Sequence, residues 1–348
     1  MTNRWLNAGA IAACVIAGAL IASKNVSGHA AIQILNVSYD PTRELYQHLN
    51  PLFLKHYEKE TGEPVGVRQS HGGSSYQARQ VASGALSADV VTLGLPSDVE
   101  GLAKRGLIDK DWRKRLPDDS QPYHSTIVFV VRKGNPLNIR DWPDVVRPGI
   151  EVITPDPKTS GNGKLSALAA WGYVIANGGS EVDARKFLVA LYNNTPFLVP
   201  AARAAGVAFA VEKKGDVNIA WENEALREVD ESKGALEIIY PSISILAEPA
   251  VAWVDANVEK HHSAELSKAY LHYLYTDQAQ DLIAREGYRP SNEKILARYA
   301  SRLPDINLFP ITLIARDWSD AQQKFFGENG VIDSFYVPKP RTEQVASP

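Results

Sequence analysis

Short apolar runs of strand length recur along this chain, and stretches with helical spacing separate most of them; this alternation constrains the fold most. The runs are ILNVSY at 34–39, 65–70, ADVVTLGL at 88–95, TIVFVVR at 126–132, 151–155 and DVNIAW at 216–221. Between the first two, Leu45, Leu49, Leu52, Phe53 and Tyr57 recur at three-to-four spacing, which predicts a helix over 41–61 with one buried face. Helical patterns also cover 164–176, ending at Gly178-Gly179, and 264–286, through Leu266, Tyr270, Leu274 and Ile283. Strands alternating with helices predict α/β sheets covered on both faces. Two runs look long enough to bridge lobes, 126–132 and 247–254, so the chain is expected to leave a first lobe near Tyr123 and return near Pro249. That gives 31–123 and 249–337 to lobe one, 124–248 to lobe two, and a polar tail at 338–348. No internal repeat interrupts the pattern.

The first thirty residues differ in kind. Arg4 and Lys24 are their only charges around an apolar run at 8–22, and Gly28-His29-Ala30 offers small residues for cleavage, which predicts a signal peptide and a mature start at Ala31. An uncleaved anchor is the alternative, the run being close to the length of a span. The lipoprotein-like box ending at Cys14 is set aside because the apolar run continues past it. Cys14 is the single cysteine, so the mature chain holds no disulfide, thiolate metal site or cysteine nucleophile. Without Arg4 and Lys24 the formal charge moves from -3 to about -5, so an anion would have to be held by a local field, and nucleic acid is not an expected partner.

Four turns share one grammar, in which an apolar strand ends and small or capping residues open a helix. Tyr39-Asp40-Pro41-Thr42 places Asp40 at an N-cap with Pro41 behind it; His71-Gly72-Gly73-Ser74-Ser75 precedes a helix through 76–81. Thr159-Ser160-Gly161-Asn162-Gly163 opens the helix from Lys164, and Pro200-Ala201-Ala202-Arg203 opens another reaching about Lys213. The first N–H groups of a helix lack internal acceptors, and the helix dipole adds about half a positive charge there. In α/β sheets such turns gather beyond the carboxyl ends of the strands, where ligands bind. Singly, each is an ordinary cap; together they form an anion cradle.

On longer words the chain resembles the bacterial sulfate/thiosulfate-binding proteins that serve ATP-driven importers. The likeness runs from Ile34 to about Pro290 through NVSYDPTREL (36–45), QSHGGSSYQA (69–78), RLPDDSQPYHSTIVFVVRKGNP (115–136), VITPDPKTSG (152–161), AAWGY (169–173), IAWENEAL (219–226) and ILAEP (245–249). It implies a type II periplasmic binding fold, two α/β lobes joined by two crossing strands and closing on the ligand. It also implies that a dehydrated sulfate is held by the backbone N–H groups of Asp40, Ser74, Gly161, Asn162 and Ala202, the Ser160 hydroxyl and the Trp221 indole N–H. His71 and Gly73 would shape their turn, and Arg203 would bond neighbouring carbonyls and polarise the cradle. The carboxylate of Asp40 is expected to face away from the anion. The chain departs from the pattern at Gly161-Asn162, where the family has two glycines, and at Pro200-Ala201-Ala202-Arg203-Ala204, which leaves thiosulfate, molybdate and tungstate as alternatives to sulfate.

A hydrolase or transferase is the rival of another class. Against it, the chain has no G-x-S-x-G, G-x-x-x-x-G-K-[ST] or H-E-x-x-H motif, and its histidines lack metal-ligand spacing, with His261-His262 in an apparent surface loop. The expectation is a monomeric, periplasmic binding protein without metal or cofactor, working with a membrane permease.

Overall fold

The computed structural model describes residues 32–335. The expected signal peptide, Cys14, the Ala31 start and the 338–348 tail lie outside the described residues.

Two four-stranded mixed sheets carry the fold. In the first, β1 (Gln33–Tyr39) lies parallel between β2 (Gly66–Gly72) and β3 (Val90–Leu93), with Asn36 opposite both Gln69 and Val90. In the second, β4 (Ile127–Arg132) runs antiparallel to both β6 (Val217–Trp221) and β7 (Leu236–Ile239), and β5 (Val152–Ile153) is parallel to β6. The fourth strand of the first sheet, β8 (Ala250–Trp253), returns to pair antiparallel with β3. Side chains alternate across a strand. In β4, Val128 and Val130 accordingly join the cluster holding Ile153, Phe209 and Ala220, while Ile127, Phe129 and Val131 face the cluster with Trp142, Leu165 and Ile219. Both faces of the inner strands β1, β3, β4 and β6 are buried, which is why these read as largely apolar runs, whereas the edge strand β2, GVRQSHG, is half-exposed.

The helices that matter for the cleft follow the strands: α1 (Arg43–Thr61), α2 (Ser74–Ala82), α3 (Pro96–Ala103), α4 (Gly161–Ala176), α5 (Glu181–Asn193), α6 (Ala202–Gly206) and α7 (Glu222–Glu231). The 264–286 pattern is two helices, Ala264–Tyr273 and Asp277–Arg285. The hydroxyl of Thr276 accepts from the N–H of Ala279 and so caps the second, a start signal that apolar spacing does not register.

The crossings also differ in place from the sequence reading. β4 and β8 belong wholly to one sheet each, and the passage is made by the short stretches before them: Ser125 and Ala247 exchange two backbone hydrogen bonds of 2.9 Å, and Thr126 Oγ1 donates to the Ile245 carbonyl at 2.8 Å. The chain beyond 308, expected in lobe one, lies largely against the second sheet's helices. Leu308–Phe309 pairs in parallel with Ser244–Ile245, the Phe309 ring packs where Gly172 leaves α4 without a side chain, and Phe325 meets Trp171 edge-on at 5.1 Å. Lys324 pairs with Glu181, and Phe335 rests on Tyr192, so the chain beyond 308 covers α4 and α5. Trp318, in between, donates to Glu248, and Ser319 meets Lys104 of the first lobe at the end of α3. Its apolar residues sit on turns and helices too short to show a period, so nothing in the sequence says which sheet they cover.

A Cβ at 172 would lie 2.0 Å from Phe309 Cζ. Gly172→Val is expected to destabilise by at least about 1–3 kcal/mol, the range for overpacking a filled core. Urea unfolding measures it, and an unchanged midpoint would show that the segment does not seal this face.

Candidate functional site

All four turns of the sequence reading meet at the interface of the two sheets. Tyr39, Asp40, Pro41, Gly73 and Ser74 from the first lobe and Ser160, Gly161, Asn162, Ala202 and Trp221 from the second line one cavity of about 10 Å³. On a scale where one water needs about 10–15 Å³, this is a small, closed space. A larger cavity of about 490 Å³ lies behind α6, lined by Arg132, Val207, Arg227 and Glu228 among others, and none of the expected site residues borders it.

Each turn is held in a different way. Asp40 is not an N-cap: Tyr39 takes that place and Asp40 begins a 3-10 turn, Asp40–Thr42. Its carboxylate is engaged elsewhere, accepting from Arg43 Nη2 at 3.0 Å and, across the cleft, from the backbone N–H of Arg203 at 3.3 Å. Ser74 is the first residue of α2, and its hydroxyl donates to Asp98 Oδ2 at 2.6 Å while accepting from the N–H of Gly94 at 3.0 Å. That hydroxyl therefore ties the turn to α3, and only the backbone N–H is left to the cavity. Ser160 caps α4 through Gly163 N–H at a long 3.5 Å, with its own proton uncommitted among the described residues. Asn162 replaces a glycine of the family pattern, and its side-chain amide donates to the Ile219 carbonyl at 3.0 Å, fixing the start of α4 to β6. Ala202 opens α6, which continues into a π-helical turn, Val207–Val211.

Trp221 ends β6 at 1 % exposure, its ring 5.4 Å from that of Tyr39 across the cleft. The indole N–H groups of Trp142 and Trp318 donate to Ile243 and Glu248, whereas that of Trp221 has no acceptor among the described residues. Gly73 is required for a reason beyond turn shape: a Cβ there would stand 2.6 Å from the Thr159 carbonyl of the opposite lobe. His71 closes β2, its Nδ1 2.6 Å from the hydroxyl of Ser38 on β1, which makes it a turn-orienting group.

Arg203 departs from the expectation. Its guanidinium takes the carboxylate of Glu44 with both terminal nitrogens, at 2.9 and 2.6 Å, and reaches Glu224 at 3.3 Å; no neighbouring carbonyl is its partner. Two carboxylates within reach outcompete neutral carbonyls for a planar cation. His261 also differs, since it ends a helix and bonds buried Asp89 at 2.9 Å, with Ser87 at 3.2 Å on its other nitrogen. Asp89 further accepts from Leu35 N–H and the Ser263 hydroxyl, so this group stitches the amino ends of β1 and β3, remote from the cleft. The described residues hold no cluster of metal-ligating side chains and no helix long and apolar enough to cross a membrane.

Sequence reasoning missed Asp98, Glu44 and Lys164. The last had a visible signal: a lysine in the first turn of a helix opposes the dipole and needs a partner to be stable there. Lys164 is buried, with Nζ 2.7 Å from both Ser75 Oγ and Gln322 Oε1.

Burial, with Arg43 adding, pulls the His71 imidazole down to about 4, against which Asp40 and Glu44 act. Its folded value lies below the unfolded one near 6.5, so its contribution to stability is complete above about pH 6.5 and is lost as the pH falls through about 4. An NMR titration should give His71 a midpoint near 4, and a midpoint near 6.5 would place it in open solvent.

The profile of the bacterial extracellular solute-binding protein family matches residues 39–289. A sulfate-binding protein of Escherichia coli strain K12 is 49% identical over 304 residues, 87% of this chain and 92% of that one. A thiosulfate-binding protein of Pseudomonas aeruginosa is 45% identical over 314 residues, 90% of this chain and 94% of its own. The solved sulfate-binding protein SubI from Mycobacterium tuberculosis superposes with a TM-score of 0.76 at 32% identity, covering 84% of this chain and 99% of that one. A ferric binding protein from Campylobacter jejuni, at TM-score 0.60 and 13% identity over 86% of this chain and 99% of its own, shares the fold alone. With its two α/β lobes closing on a cradle of helix starts, the chain has the type II periplasmic binding fold and belongs to the bacterial extracellular solute-binding proteins, in the group that holds the sulfate- and thiosulfate-binding proteins.

Proposed function

We propose that this protein is an extracytoplasmic receptor that captures sulfate between its lobes and delivers it to an ABC-type importer through a membrane permease. The observation that carries the reading is the cavity bordered by Asp40, Ser74, Ser160, Gly161, Asn162, Ala202 and Trp221, each of which can offer a neutral donor. The five backbone N–H groups, the Ser160 hydroxyl and the Trp221 indole would surround a tetrahedral dianion. A lining of donors suits a fully ionised anion, whereas a protonated phosphate would present its O–H to other donors. Hydrogen bonds to a charged group contribute about 1.5–3 kcal/mol each, so seven give roughly 10–20 kcal/mol before desolvation and association costs. Low-micromolar affinity, about -8 kcal/mol, falls within that margin.

The relatives' names support both sulfate and thiosulfate as guests. The Asn162 side chain is turned to Ile219 and leaves the backbone donor in place for either dianion; the sulfate-binding relative at 49% identity supports sulfate as the main reading. The reading further takes 31–123 with 249 to about 307 as one lobe and 124–248, covered by the segment beyond 308, as the other, export by a signal peptide cleaved near Ala30, a monomer, and capture without catalysis.

Calorimetry against sulfate, thiosulfate, molybdate and tungstate tests the assignment: sulfate should bind most tightly, and tightest binding of molybdate would reject it. Trp221→Phe is expected to raise Kd about 10- to 150-fold, the loss of one charge-assisted bond. Unchanged affinity would remove the indole from the site.

A further inference from the structure

Lys164 lies beside the cavity but does not border it. It belongs to the second lobe, and its two acceptors differ: Gln322 is on the segment that covers α4 of the same lobe, whereas Ser75 is on the first lobe, across the cleft. Ser75 Oγ in turn donates to Asp98, at 3.0 and 3.2 Å to its two oxygens, and Asp98 also takes the hydroxyl of Ser74. An unbroken chain therefore runs from ammonium to hydroxyl to carboxylate to the turn that offers Ser74 N–H to the cavity. Its first link exists only when the lobes are shut. Lys164, Ser75 and Asp98 are all buried, so water screens none of these charges. Burial pulls the ammonium down, and Asp98 is the group that holds it up.

Asp98 poses a difficulty that Lys164 answers. Its side-chain oxygens accept from the Ser74 turn, a task an amide oxygen can share, but a buried negative charge hydrogen-bonded to that turn repels a dianion. Alone, the ammonium would be a buried cation in want of a counter-charge; with Asp98, the two cancel while leaving the cavity lined by neutral donors. We propose that Lys164 is a positioning residue for capture, held ready by Gln322 on its own lobe and closing across the cleft onto Ser75 so that it neutralises Asp98. The role deepens the sulfate reading and rests on it. It acts without touching the anion, and because its bond to Ser75 forms only on closure, it governs release more than encounter.

The test is stopped-flow sulfate binding to the mature protein, following its intrinsic tryptophan fluorescence. The unsubstituted protein comes first, and its failure to bind sulfate would sink the capture reading itself, apart from any role of Lys164. Lys164→Met should then weaken sulfate about 10-fold, nearly all of it as faster dissociation with association within about twofold. Adding Asp98→Asn to Lys164→Met should recover most of that loss, since the uncompensated carboxylate is gone. A Lys164→Met protein with unchanged dissociation, or a loss that Asp98→Asn leaves intact, overturns the proposal; so does a loss confined to association, which would make Lys164 a long-range attractor. Ser75→Ala breaks the link without changing charge, so that dissociation must also quicken in a variant whose fold is not at risk; if it does not, the chain through Ser75 is not the means.

Discussion

The structure depends on helix starts from two separate sheets converging on one point. No element there could hold an anion alone: α6 has five residues before it turns π-helical, and Asp40–Thr42 is a single 3-10 turn. What each contributes is one or two N–H groups with no internal acceptor. Their sum requires that the backbones approach closely across the cleft, and the glycines permit it. The bare face of Gly73 admits the Thr159 carbonyl, and an added Cβ on Gly161 would sit 3.3 Å from Ser74 Cβ. The lobes therefore meet backbone to backbone around a small cavity.

Charged groups surround this cradle, but they are paired with each other. Asp40 is committed to Arg43 and Arg203, Arg203 to Glu44 and Glu224, and Asp98 to two serines. Several of these bonds cross the cleft, as does the bond from Asn223 to the Pro41 carbonyl, which Tyr288 also satisfies at 2.7 Å. Near the crossing strands, buried Glu222 and Arg289 form a two-pronged pair at 2.7 and 2.8 Å. Such pairs add little net stability against an apolar alternative, but removing one partner is costly. Their physical value here is geometric: they specify one shut arrangement while leaving the neutral donors for the guest.

The local grammar of the chain was legible in the sequence because it is short-range. Strand runs, glycine turns and apolar helix faces are encoded within windows of a few residues, and the turns at Asp40, Ser74, Gly161 and Ala202 are found where that grammar places them. The resemblance to known binding proteins supplied what spacing could not, namely that Trp221 belongs with those turns. What escaped were partners distant in sequence. The hydroxyl of Ser74 goes to Asp98 and that of Ser75 meets Lys164, 89 residues away; Arg203 prefers Glu44, 159 residues away, to nearby carbonyls. No periodicity announces such pairs, since a single side chain on each element makes them.

The segment beyond Leu308 shows the same limit on a larger scale, and it changes how closure is understood. Two crossings alone would form a simple hinge, free to open until the solvent intervened. The third strand of chain is anchored to the second lobe by Phe309 and Phe325, touches the first at Lys104, and reaches Lys164 through Gln322. Separating the lobes must break the Lys104 contact, a polar bond that water can replace, while the buried aromatic anchors and the Lys164–Gln322 bond lie within the second lobe and can hold. The segment thus goes with the second lobe and meets the first through Ser319 in the shut form. Closure is then cooperative among three parts of the chain, and the buried lysine is the group at which all three meet.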